Sequence, residues 1–233
     1  MNRKLIAILP AAGIGARAVG AEQDVTLPKQ YRLLKGQAML RWSVVALLQD
    51  ERIDQVRVIL APGDTWGEKE LGKLPRTVLR YCGGASRADT VTNALQELAL
   101  QEQDWVIVHD AARPGLPAQS LRALIDTCLG LGQGGLLALP VPDTVKRGAP
   151  AGQSVLVQAT VDRENLWLAQ TPQMFPAVLL KQALLDAQTK QAVITDEASA
   201  IELFGQQPIL VVGSARNFKV TWPEDFELME KWL

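Results

Sequence analysis

Residues 5–17 read Leu-Ile-Ala-Ile-Leu-Pro-Ala-Ala-Gly-Ile-Gly-Ala-Arg, and the class of fold turns on this stretch. Leu5 to Leu9 is an unbroken apolar run, the pattern of a strand covered on both faces within a parallel sheet. Pro10, Ala11, Ala12, Gly13 and Gly15 follow at once. Small residues at the carboxyl end of such a strand let backbone N–H groups come close to a phosphate. Gly13-x-Gly15-x-x-Ala18 also satisfies the loose dinucleotide fingerprint. That fingerprint expects an immediate helix and an acidic residue about 20 positions further on. Residues 18–30 are instead polar without helical period and run to Pro28-Lys29-Gln30, which brings Arg17 and Lys29 to one mouth. Two fixed cations and a ring of amides suit a triphosphate better than a dinucleotide; a turn-forming glycine loop with solvated basic residues is the alternative.

Outward from this run, strand-like and helix-like segments alternate. Val56–Leu60, Trp105–His109 and residues 135–139 are strand-like. Helical spacing appears in Leu40, Val44, Leu47 and Leu48, across residues 87–100, and in Leu121, Leu124, Ile125, Cys128 and Leu129. This alternation predicts an α/β fold with a mostly parallel central sheet flanked by helices. From about 143 to 171 the rhythm breaks: Val155-Leu156-Val157 and Thr160-Val161 look like strands after turns at Gly148, Pro150 and Gly152. This segment reads as a projecting hairpin arm of a single domain spanning 1–233, and an arm without its own core suggests a homodimer. Helices are expected again at 176–187 and 197–203, a strand at 208–212, and a last helix capped by Thr221 with Glu224.

Composition bounds the rest. The 233 residues are 48% hydrophobic and 21% charged with a net charge of −1, so no overall field draws the molecule to nucleic acid or an anionic membrane. Residues 1–41 nonetheless hold seven basic residues against two acidic ones, a local excess suited to a phosphate-rich small molecule. Cys82 and Cys128 form no CxxC pattern. No apolar run reaches the roughly 18 residues of a membrane helix, and the Leu5–Leu9 run is too short for a signal-peptide core, so a cytoplasmic location is expected.

Several polar clusters interrupt the apolar runs. Gly83-Gly84-Ala85-Ser86-Arg87-Ala88-Asp89-Thr90 opens a helix, with Ser86 a fitting N-cap; capping does not account for Arg87 and Asp89 in the first turn with Thr90. Asp110 closes a strand, where a carboxylate is placed to hold Mg²⁺ against phosphate oxygens; a turn or cap aspartate is the alternative. His109 is the only histidine, which excludes a histidine pair for zinc and makes it a structural neighbour of Asp110 rather than a base. Asp143-Thr144-Val145-Lys146-Arg147, Val161-Asp162-Arg163, Thr171-Pro172-Gln173, Thr195-Asp196-Glu197-Ala198-Ser199 and Lys219-Val220-Thr221 follow. Each alone reads as a turn or a helix start, with Thr195 and Thr221 as caps.

In order along the chain, these segments resemble the 2-C-methyl-D-erythritol 4-phosphate cytidylyltransferase family of the non-mevalonate isoprenoid pathway. The resemblance implies a Rossmann-like nucleotidyltransferase domain, a dimerising β-arm and a Mg²⁺–CTP complex, with another divalent cation as the alternative metal. It implies that Ala11, Ala12, Gly13 and Gly15 line the nucleotide, that Arg17 and Lys29 bind the triphosphate and stabilise charge at the α-phosphorus, and that Lys219 holds the sugar-alcohol phosphate and helps offset that charge. Gly84 and Thr90 would read cytosine, Asp110 would hold the metal, and Thr144, Arg163, Thr171 and Thr195 would hold the sugar-alcohol phosphate. Thr144 and Arg163 would come from the partner subunit. The substrate's own ionised phosphate would attack, so a chain without a nucleophile motif suffices. Departures from the pattern are a longer loop at 20–26, Ala85 where aspartate is common, Thr90 for serine, and Trp222 for a polar residue. Ribitol-5-phosphate cytidylyltransferase is the nearest alternative; a dinucleotide-dependent reductase and a non-catalytic nucleotide-binding module are more distant ones.

Overall fold

A computed structural model describes residues 3–13 and 27–233. The elements in chain order are β1 (Leu5–Pro10), β2 (Leu33–Leu34), β3 (Gln37–Ala38), α1 (Met39–Leu48), β4 (Gln55–Ile59), α2 (Gly67–Leu71), β5 (Thr77–Arg80), α3 (Arg87–Gln96) and β6 (Trp105–Val108). They continue with α4 (Ala118–Leu131), β7 (Gly135–Pro140), β8 (Val145–Ala151), β9 (Ser154–Val161), β10 (Trp167–Pro176), α5 (Ala177–Thr189), α6 (Glu197–Leu203), β11 (Ile209–Val212) and α7 (Pro223–Trp232).

The alternation of side chains along β1 explains why the run is apolar throughout. Leu5, Ala7 and Leu9 point to one face and pack with Leu40, Val44 and Leu47 of α1 and Leu121, Leu124 and Ile125 of α4. Ile6 and Ile8 point to the other, against Val91 and Leu95 of α3, Leu180 and Leu184 of α5, and Ile201 of α6. A polar residue anywhere in the run would be stranded in one of these two layers. α4 ends where Gly132 takes a left-handed φ of +63°, the conformation glycine supplies most cheaply after a last turn.

Seven strands form one sheet in the order β11-β7-β10-β6-β1-β4-β5. β1 pairs in parallel with both β4 and β6, and β4 with β5. The chain therefore leaves β1 toward one side and returns to its other side at β6. This reversal puts a topological switch point between the carboxyl ends of β1 and β6, where open α/β sheets bind ligands.

Two expectations need correction. The stretch to residue 171 is not all arm: β10 enters the central sheet antiparallel to both β6 and β7, carrying Thr171 with it. Its polar residues disguise it as a loop, but Gln170 and Gln173 are buried with their amides paired to Ser214 and to Asp196 and Ala198. The hairpin itself is β8 with β9, a separate two-stranded sheet whose Val155, Leu156 and Val157 side chains are solvent-exposed. The caps also move by one residue. Asp196, not Thr195, accepts from the Ser199 amide. Asp225 accepts from the Thr221 and Trp222 amides, so the last helix is capped by its own acid rather than by Thr221.

Candidate active site

At the switch point a cleft of about 570 Å³ opens. Its floor is built from Pro10 to Gly13 after β1, Gly84 to Arg87 at the start of α3, and Asp110 to Ala112 after β6, with Lys29, Thr90 and Lys219 also lining it. Backbone bonds hold these loops in place. The Ala11 amide donates to the Ile59 carbonyl, and the Gln30 side chain donates to the Ala11 carbonyl at 2.8 Å. Gly83 is required by contact: a Cβ there would stand 2.3 Å from the Ala12 Cβ and 2.8 Å from the Leu60 carbonyl oxygen. Neither neighbour can yield without shifting the β1 loop or the backbone at the end of β4. Gly83→Ala is therefore expected to cost about 1–3 kcal/mol, as overpacking does; a melt matching that of the unsubstituted chain would contradict this.

The helix start explains more of its own residues than capping at Ser86 alone suggested. Asp89 returns bonds to the Ser86 amide and hydroxyl, completing a reciprocal capping box. The Thr90 hydroxyl accepts from the Gly84 amide at 3.0 Å and donates to the Ser86 carbonyl at 2.9 Å. Its proton is thus spent on shaping the loop. Arg87 is the residue left over, and it turns inward.

Arg87 donates through Nε to Asp110 Oδ1 at 2.9 Å and through both terminal nitrogens to Glu197, at 2.7 and 2.9 Å. Lys219 Nζ lies 2.9 Å from the other Asp110 oxygen, and Arg113 approaches the same oxygen at 3.7 Å. Burial by itself would raise the Asp110 pKa, but Arg87, Lys219 and Arg113 outweigh it and hold the carboxyl well below its usual range. Lys219 is aimed by its own segment: Val220 donates to the Ala112 carbonyl, and Arg113 donates to the Asn217 carbonyl at 2.8 Å. Lys29 donates to the Val220 carbonyl, which gathers both lysines at one wall.

A second pocket of about 270 Å³ shares Arg87, Asp110 and Lys219 with the cleft and extends to Gln170, Thr171, Gln173 and Thr195. Two cavities thus meet at one carboxylate ringed by cations. Such a junction can hold two phosphate-bearing molecules end to end with their charges offset.

The comparisons with known proteins agree on what this geometry belongs to. The family model for 2-C-methyl-D-erythritol 4-phosphate cytidylyltransferase matches residues 5–233. The chain belongs to this family. A relative in Bordetella petrii bearing that name is 60% identical over the full length of both chains. A crystal structure of 4-diphosphocytidyl-2C-methyl-D-erythritol synthase superposes with a TM-score of 0.84 at 38% identity, covering 100% of this chain and 99% of that one. The Francisella tularensis 2-C-methyl-D-erythritol 4-phosphate cytidylyltransferase gives 0.82 at 33% identity, covering 99% and 100%.

For a member of this cytidylyltransferase family, the sequence-predicted residues fall into four groups. Ala11, Ala12, Gly13, Lys29, Gly84, Thr90, Asp110 and Lys219 line the larger cavity. Thr171 and Thr195 line the smaller one. Thr144 and Arg163 line neither; they sit at the base of the hairpin, where Arg163 donates to the Pro142 carbonyl. Gly15, Arg17 and the 20–26 insertion lie outside the described residues. Sequence reasoning gave Arg87 and Glu197 no role. Glu197 could have been found, since it shares a buried stripe with Ile201 four residues on, an odd place for an acid without a partner. No helix among the described residues is long and apolar enough to cross a membrane.

His109 serves the structure, as its neighbours show. It is fully buried, with Nε2 3.1 Å from the Arg113 carbonyl and Nδ1 3.0 Å from the Thr171 hydroxyl. A carbonyl only accepts, so Nε2 carries the proton and Nδ1 accepts from Thr171. The same hydroxyl accepts from the Asp110 amide at 2.9 Å, so Thr171 reaches the smaller cavity with its proton already committed. Burial, with a smaller repulsion from Arg113, lowers the His109 pKa to about 4. Between about pH 6.5 and 4 the unfolded chain therefore binds a proton that the folded chain refuses. Stability attributable to His109 falls as pH falls through this window, by up to about 1.4 kcal/mol per pH unit. Urea midpoints should show this component, and His109→Gln should remove it; identical pH slopes for the two chains would refute the assignment.

Proposed function

We propose that this chain transfers CMP from CTP to 2-C-methyl-D-erythritol 4-phosphate, releasing pyrophosphate and forming 4-diphosphocytidyl-2-C-methyl-D-erythritol for isoprenoid precursor synthesis. The observation that carries this reading is the meeting of two cavities at Asp110 and Lys219, in a chain belonging to the cytidylyltransferase family. CTP occupies the larger cavity, with Ala11, Ala12, Gly13 and Gly84 close to its phosphates and base and Thr90 setting the loop. The acceptor occupies the smaller one, between Thr171 and Thr195. Its phosphate oxygen attacks the α-phosphorus and pyrophosphate leaves on the opposite side.

A phosphate monoester is already ionised near pH 7, so no side chain has to remove a proton. The protein's task is alignment and charge compensation. Lys29, Lys219 and Arg17 are the cations for it. Mg²⁺ fits the donor set, since it accepts one carboxylate when substrate phosphates and water complete its shell. Asp110, the acid that lines both cavities among the described residues, would hold the ion together with the substrate phosphates. The ion supplies charge neutralisation along the triphosphate.

Thr144 and Arg163 belong to a second subunit in this reading. They line neither cavity of their own chain, while the hairpin beside them exposes Val155, Leu156 and Val157, an apolar surface suited to a partner in a homodimer. The mechanism is tested with CTP made chiral at the α-phosphorus by sulfur substitution. A single displacement inverts the configuration, and retention would show a covalent enzyme intermediate and overturn the direct attack.

A further inference from the structure

We propose that Arg87, locked by Glu197, is the positioning residue that sets which oxygen of Asp110 faces the nucleotide and its metal. This rests on the reading of Asp110 as the metal-binding carboxylate of the transfer reaction. Three observations support it.

First, the two Asp110 oxygens differ. Oδ1 is bound by Arg87 Nε at 2.9 Å, whereas Oδ2 meets Lys219, whose side chain is 42% exposed and free to exchange its partner for solvent or substrate. Oδ2 can be released to a ligand without breaking a buried hydrogen bond, since the buried Arg113 Nε stands 3.7 Å from it. Second, Arg87 is itself fixed. Glu197 is 1% exposed and takes both terminal nitrogens of Arg87, a planar fork matched to a carboxylate. Since Nε, Nη1 and Nη2 are all engaged, rotation of the guanidinium would break bonds to both acids at once. Third, the pair joins the two halves of the site. Arg87 begins the helix that borders the nucleotide cleft, and Glu197 begins the one after Thr195 and Asp196, which line the acceptor pocket. A bridge between two helix starts would be unnecessary for capping, which Ser86 and Asp196 already perform.

Partners that orient a metal-binding side chain typically contribute 10- to 100-fold to metal affinity or activity. The test uses Arg87→Lys and Glu197→Gln, which keep size and, for lysine, charge but cannot keep the fork. CTP binding is measured calorimetrically with Mg²⁺ and again with chelator, beside a thermal melt and the kinetic constants of the full-length protein. The expected result is that the gain in CTP affinity produced by Mg²⁺ shrinks about tenfold or more, while CTP binding in chelator stays within about twofold and kcat falls more than the acceptor KM rises. Should one variant fail to fold, the other carries the test. Equal losses with and without Mg²⁺ would show a general structural role and overturn the proposal, as would a folded variant with an unchanged Mg²⁺ gain. If the unsubstituted chain itself gains no CTP affinity from Mg²⁺, the metal reading of Asp110 fails instead, and that outcome is visible before any variant is compared.

Discussion

Asp110→Asn lowers turnover on the order of 10²–10³-fold while leaving the chain folded, by analogy with the loss of a single charge-stabilising group at other reacting centres. The substitution is nearly isosteric, so packing after β6 should survive. What changes is charge. The Asp110 carboxyl is buried, lies between Arg87, Lys219 and Arg113, and is held well below the ordinary carboxylate range. Among the described residues, asparagine removes the acidic side chain that lines both cavities, and with it the negative charge that the proposed reading offers to a divalent cation. Lys219 then loses its 2.9 Å partner and is no longer held at the junction. Both effects act on the transferring phosphate rather than on the cytosine end of CTP. The kcat should therefore fall far more than the CTP KM rises. Turnover within about threefold of the unsubstituted chain would remove Asp110 from the site.

Arg87→Ala should give the largest loss of stability among the site substitutions, about 3–5 kcal/mol. Glu197 is almost wholly buried and its pKa is already raised by burial against the pull of Arg87. Without the guanidinium, that carboxylate must stay charged and unpaired in a dry site or take up a proton. Either course costs more than the lost side-chain packing. For a chain of 233 residues the melting temperature should drop on the order of 10 °C. The double variant Arg87→Ala/Glu197→Ala removes the orphaned charge as well and should melt above the Arg87→Ala single variant, a non-additivity expected of directly paired groups. A single variant melting within about 2 °C of the parent, or a double variant melting lower still, would show that the pair is not what stabilises this junction.

Particular residues show why much of this was legible in the sequence. The Leu5–Leu9 run declares a strand buried on both sides because odd and even positions each meet a helix layer. Ala11 to Gly13, Lys29, Asp110 and Lys219 fall at strand ends or loops, where side chains of small or charged type have few structural uses in such number. β10 was hidden because Gln170, Thr171 and Gln173 look like loop residues until their partners across the fold are known. The Arg87–Glu197 pair joins residues 110 positions apart, and no local period announces such a contact. Caps were misplaced by one position at Thr195 and Thr221 because serine, threonine and aspartate satisfy the same helix-start pattern, and geometry alone decides which oxygen reaches the free amides.

The most direct measurement of the central claim is pyrophosphate release by the purified chain with Mg²⁺ and CTP, run in parallel with 2-C-methyl-D-erythritol 4-phosphate and ribitol 5-phosphate. The account predicts release with the first acceptor and none above background with the second. Release with ribitol 5-phosphate alone, or none with either from a folded sample, would contradict it.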